Sequence, residues 1–179
     1  MDTVCSIKKY PLHILSVSAL SWGVIDIAED EAALIVLTER TNPFLESTGI
    51  RKLVVDFQDV EDLKAEGAFT AARADRIIDF IEALPATVTD LYICCSEGVS
   101  RSAGCAAALL LMSGRSDRDV WRNPFYRPNG LVFSLLCREA GIFMPKFSVW
   151  LRKAANASAF RTAQRRHSAG KYERWQILE

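Results

Sequence analysis

Histidine is scarce in this sequence, with His13 and His167 the only two among 179 residues. His13 opens an apolar, strand-like run and His167 sits in a basic stretch, so neither is set up as the partner of a Cys–His protease. The five cysteines (Cys5, Cys94, Cys95, Cys105 and Cys137) contain no C-x-x-C pair. A structural zinc site therefore lacks ligands at the usual spacing. Net charge is missing too. Twenty-two basic residues balance 22 acidic ones, so no global field draws the chain toward nucleic acid or an anionic membrane. The opening MDTVCSIKKY carries no apolar signal-peptide core, and the longest apolar stretch, Cys105–Met112, is far too short to span a bilayer. These absences lead us to expect a cytoplasmic protein whose cysteines are reduced thiols rather than a disulfide framework. Internal repeats and low-complexity tracts are absent as well.

What is present is ordinary for a globular chain: half of the residues are apolar and a quarter are charged. Short apolar runs alternate with longer amphipathic ones, the pattern of an α/β fold. We expect a central, mostly parallel sheet of four to five strands flanked by helices. The strands are read at Leu12–Ser18, Ala33–Glu39, Lys52–Phe57 and Asp90–Cys95, with a short helix or loop over Ala19–Glu31. The spacing predicts a helix from about Ala68 to Leu84, with Ala72, Ile77, Ile78 and Ile81 as its apolar stripe. Arg101–Met112 reads as a buried helix without a polar face, stopped by Gly114. Shorter helices follow at Ser116–Trp121, at Leu131–Ala140, and from Pro145 to about Ala155, with Arg127-Pro128-Asn129 as a breaker between the first two. Residues 1–155 thus form one domain. Residues 156–179 are expected to be a loosely attached basic tail, since from Arg152 onward seven Lys/Arg stand against two Glu.

The chemically informative stretch is YICCSEGVSRSAGCAAALLL. A buried strand delivers Cys95, five residues follow, and Arg101-Ser102 opens the buried helix. A loop between a strand end and a helix N-terminus turns several N–H groups inward and makes an anion cradle. Ser96, Glu97, Gly98, Val99 and Ser100 form that loop, and Gly98 lets it curl tightly. Arg101 offers a planar fork for two phosphate oxygens. Cys95 at the base of a positive cradle has its nucleophilic thiolate favoured, and Ser102 can hydrogen-bond the sulfur. The bland alternative is an inert buried thiol beside an arginine at a helix start.

CSEGVSRS resembles the C-x5-R-S/T signature of the protein tyrosine and dual-specificity phosphatase superfamily. The resemblance covers roughly Leu12–Trp150. RKLVVDFQDVED is similar to the strand and general-acid loop of small dual-specificity-like members, and ADRIIDFIEAL to the helix that follows. FYRPNGLVFSLL resembles a Pro-Asn segment of small bacterial predicted tyrosine phosphatases. The resemblance implies a phosphatase-like fold and hydrolysis of phosphomonoesters through a thiophosphoryl-cysteine intermediate. It also implies a general acid in the acidic loop. Asp56, Asp59 and Asp62 are the candidates. Asp56 falls within the strand pattern, Asp59 lies just past the strand end where the family places its acid, and Asp62 is the alternative.

One departure stands out: the family usually has histidine before the nucleophile, and Cys94 occupies that place. Strand alternation turns Cys94 away from Cys95, so a small buried filler is favoured over a redox partner for Cys95. The loop interior carries no Lys or Arg. By the resemblance this points to a singly phosphorylated substrate, such as phosphotyrosine on a protein, or a small phosphomonoester. Trp22, Phe44, Phe125 and Tyr126 are candidates for the pocket wall. No metal or organic cofactor is implied, and neither a nucleic-acid nor a membrane partner. Two competing readings are a pseudophosphatase that binds phosphopeptides and a thiol protein that reduces arsenate.

Overall fold

Four short apolar runs form one parallel sheet in the computed structural model, which describes residues 7–21, 29–38 and 49–168. The strands are β1 (Leu12–Ser16), β2 (Ala32–Val36), β3 (Arg51–Val54) and β4 (Asp90–Cys95), in the spatial order β1-β4-β2-β3. The fold is therefore α/β, with four strands among the described residues. Parallel neighbours require crossovers, so helices cover both faces and the inner strands become apolar on both sides. Every residue of β2 is buried, as is β4 from Leu91 to Cys95.

The first three strands are shorter than their apolar runs. β1 ends at Ser16, and Val17–Ser21 turn directly into α1, where Ser16 Oγ accepts the Ala19 N–H at 3.1 Å. β3 begins at Arg51 and ends at Val54, although the Val55 N–H still reaches the Val36 carbonyl at 2.8 Å. Beyond that point the chain leaves the sheet, which frees Phe57 and the acidic loop to swing over the C-terminal strand ends. Glu39, expected in β2, lies outside the described residues.

The helix α2 (Ala71–Glu82) is capped by Thr70 and buries Ala74, Ile77, Ile78 and Ile81. Ala74 replaces the expected Ala72 in the stripe. Residue 74 is three before Ile77 and four before Ile78, whereas residue 72 falls on the solvent face. α3 (Arg101–Met112) is buried along nearly its whole length, as its lack of a polar face requires. Gly114 stops it at φ +71°, with the Arg115 N–H returning to the Leu110 carbonyl at 2.8 Å. The larger core packs α2, α3 and α5 (Gly130–Glu139) against β1, β2 and β4. A smaller core on the opposite face gathers Val17, Leu20, Leu34, Val36 and Cys94.

The last helix departs most from expectation. After the short α4 (Arg118–Arg122), α6 runs from Lys146 to Ser168 and does not end near Ala155. Buried Asn156 donates from Nδ2 to the carbonyls of Asn123 and Tyr126, at 3.3 and 3.0 Å. The Arg127 guanidinium sits 3.7 Å from the Phe160 ring centroid. Arg152 Nε donates to Asp117 Oδ2 at 2.5 Å, the oxygen that also accepts the Trp121 indole N–H. These contacts tie α6 to the body across the expected boundary at 155/156. Residues 169–179 of the expected tail lie outside the described residues. α6 carries six Lys/Arg and no acidic residue. Among the described residues no helix is long and apolar enough to cross a membrane.

Candidate active site

β4 occupies an interior position in the sheet, and its C-terminal end delivers Cys95 beside Ser16 of β1. The chain then turns through Ser96–Ser100 into α3. Gly98 makes the turn possible for two reasons. Its φ is +70°, and a Cβ there would lie 2.7 Å from the Leu15 carbonyl carbon and the Ser16 nitrogen. The loop thus rests on the backbone of β1.

Within this loop the expected residues converge. Ser102 Oγ lies 3.2 Å from Cys95 Sγ. Burial pushes the Cys95 thiol up, but the Ser102 hydroxyl and the N–H groups of Ser102, Gly98 and Val99 outweigh it. The net effect holds Cys95 below the ordinary thiol value. Those three N–H groups thus converge on the sulfur at the base of the loop. Arg101, only 5% exposed, donates from Nη1 to the Phe57 carbonyl and from Nη2 to Ser96 Oγ, both at 2.8 Å. The Val99 carbonyl accepts the Arg127 N–H, and the Ser100 carbonyl accepts those of Gly104 and Asn129. Glu97 is exposed.

Cys94, one residue earlier, has a different environment. Its side chain enters the smaller core, and burial followed by the nearby Cys95 charge pushes its thiol up to about 12. Burial likewise raises Cys137 to about 12 and Cys105 further. Four described cysteines are free thiols, and Cys95 alone among them is shifted toward the thiolate.

The three candidate acids separate by position. Asp56 is exposed where β3 has ended. Asp62 turns back on its own loop, accepting the Lys64 N–H on Oδ1 at 2.9 Å. Asp59 alone touches the Cys95–Arg101 segment, through Ser100 Oγ donating to its Oδ1 at 2.8 Å. Asn129 Nδ2 donates to the same oxygen at 2.8 Å.

Two contributors escaped the sequence reading. Thr38, just past β2 and 1% exposed, bonds Ser96 Oγ at 3.0 Å and so helps seat the hydroxyl that Arg101 engages. Asn129 was read as a breaker and as part of a resembling Pro-Asn segment, without a role of its own at the site. Its place between Pro128 and an apolar run signals a helix cap, but nothing local reveals a contact 70 residues away. Of the proposed wall aromatics, Phe125 is exposed and Tyr126 partly buried, while Trp22 and Phe44 lie outside the described residues.

No family model matches the chain, and no curated protein matches it in sequence. Its fold is similar to several solved structures. Human DUSP28 aligns at 18% identity over 87% of this chain and 94% of its own, with a TM-score of 0.45. PTPMT1 in complex with PI(5)P aligns at 15% identity over 87% of this chain and 96% of its own, with a TM-score of 0.42. Tk-PTP in the active form aligns at 17% identity over 88% and 99%, also with a TM-score of 0.42. At such scores the functional case rests on the chemistry of the loop itself.

Proposed function

We propose that the chain is a cysteine-dependent phosphatase acting on phosphomonoesters, with phosphotyrosine in a protein as the favoured substrate. The observation that carries this reading is the pairing of Cys95 with inward N–H groups and Arg101 in one strand–loop–helix turn. The cradle lowers the thiol's proton affinity although the sulfur is buried. An anion-binding loop that also activates a nucleophile at its base is suited to attack on phosphorus.

The Cys95 thiolate attacks phosphorus, forming an S–P bond as the ester P–O bond breaks. Loop N–H groups and the Arg101 fork hold the phosphoryl oxygens while charge shifts onto them. Asp59 gives its proton to the departing oxygen and, as a carboxylate, takes one from the attacking water in the second step. The S–P bond then breaks, Ser102 stabilises the returning thiolate, and inorganic phosphate leaves. With Arg101 the only cation in the loop, one phosphoryl group is the natural load.

The test is hydrolysis of a small aryl phosphate between pH 5 and 8 by the wild type, Cys95→Ser, Asp59→Ala and Asp62→Ala. Turnover lost in Cys95→Ser, and reduced by the Asp59 change but not the Asp62 change, supports the assignment. Full turnover in Cys95→Ser rules it out. Phosphopeptide affinity without turnover would identify a binding module instead, the reading that the absent histidine before Cys95 motivates.

A further inference from the structure

We propose that Asn129 is a positioning residue for Asp59, setting which carboxylate oxygen carries the transferable proton. The inference rests on the assignment of Asp59 as general acid. Asn129 is 1% exposed, and a buried amide must satisfy both of its ends. Its Oδ1 accepts the N–H groups of Leu131 and Val132, each at 3.0 Å, and so caps α5. Two backbone donors at that end require the oxygen there, which fixes the amide orientation. The other end is therefore the NH2 group, and it faces the acidic loop. It donates to Asp59 Oδ1 at 2.8 Å and to the Val60 carbonyl at 3.3 Å.

The residue is itself held firmly. Its N–H donates to the Ser100 carbonyl at 3.1 Å, and its own carbonyl lies where a Cβ on Gly104 would come within 2.6 Å. Asn129 thus links the candidate phosphate loop, α3, α5 and the acidic loop. Ser100 Oγ supplies a second donor to the same Asp59 Oδ1. An oxygen accepting two hydrogen bonds is the poorer site for a proton. Protonated Asp59 then carries its hydrogen on Oδ2, and among the described residues both bonds to this carboxylate fall on Oδ1. Because Ser100 belongs to the cradle, the acid is registered against the phosphoryl group rather than left to its own loop. Glu61 reinforces this, accepting the Gly130 N–H at 2.8 Å and pairing with Lys153.

The experiment compares kcat/KM for phenyl phosphate, whose leaving oxygen needs a proton, with that for 2,4-dinitrophenyl phosphate, whose leaving oxygen does not. Asn129→Ser keeps a capping oxygen and loses the amide donor; Asn129→Asp keeps the cap and the shape but presents a carboxylate to Asp59. Either change should widen the preference for the dinitrophenyl ester by about tenfold, a fraction of the range for general acids. Adding it to Asp59→Ala should widen the preference no further. Thermal melting identifies any variant that fails to fold, and the other then carries the test. Equal losses on both esters in a folded variant, or a widening that persists in the Asp59→Ala background, would overturn the proposal. If Asp59→Ala itself leaves the preference unchanged, the general-acid assignment fails and this proposal fails with it. If Asp59→Ala widens the preference and the Asn129 variants do not, only the role of Asn129 is lost.

Discussion

Cys94 and Cys95 are adjacent in sequence and opposite in environment. Cys94 enters the smaller apolar cluster with Val17 and Leu20 of α1, and burial pushes its thiol up to about 12. Cys95 is as well buried by area, yet hydrogen bonds from Ser102 and the loop hold it below the ordinary thiol value. Burial therefore does not decide proton affinity at this strand end; the donors around the sulfur do. The period-two geometry of a strand creates the difference, because one residue's step exchanges one face of the sheet for the other.

The comparison can be broken most directly at the sulfur. Cys95→Ser should abolish aryl phosphate turnover, by at least about 10⁴-fold, as removal of a nucleophile does elsewhere. Residual turnover above a hundredth of wild type would show that the reactive thiol had been misplaced. Gly98→Ala tests the loop that supplies the donors. It forces a Cβ against the β1 backbone at a positive φ, so stability should fall by about 1–3 kcal/mol in denaturant titration. An unchanged midpoint would mean that the loop does not rest on β1.

Ser102→Ala probes the environment while leaving the sulfur in place. Ser102 lowers the Cys95 pKa, so losing its hydroxyl raises it, and less thiolate is present at any neutral pH. The pH midpoint of inactivation by iodoacetamide should move upward. A downward or absent shift would contradict the role of the hydroxyl. The smallest effect belongs to Cys94→Ala. It should cost about 1 kcal/mol in stability through a small cavity and change turnover by less than about threefold. A larger loss of turnover would mean that Cys94 serves the chemistry after all.

The elements nearest the site were the most legible. β4 and α3 lie at their expected bounds because Leu91–Cys95 and Ala103–Met112 have no polar face, and Gly114 supplies an unambiguous stop. The position of the loop between them was readable for a different reason, since its residues are consecutive and join those two elements. Contacts across long separations were not. Asn129 with Asp59, Thr38 with Ser96 and Arg101 with the Phe57 carbonyl each depend on how crossovers fold back over the strand ends. The true length of α6 was hidden in another way. Its second half has no apolar stripe, and it is held by a buried amide and a cation on an aromatic ring. Hydrophobic periodicity carries no trace of either.

The formal charge of zero conceals a segregation that α6 makes concrete. With six Lys/Arg and no acid on that helix, the remainder of the neutral chain carries a formal −6. Part of that charge is answered within the fold, where Arg152 pairs with Asp117 and Lys153 with Glu61. Such a chain should adhere to cation and anion exchangers alike at low ionic strength and release from both as salt shortens the screening length. The basic helix is a local feature that the isoelectric point alone does not report.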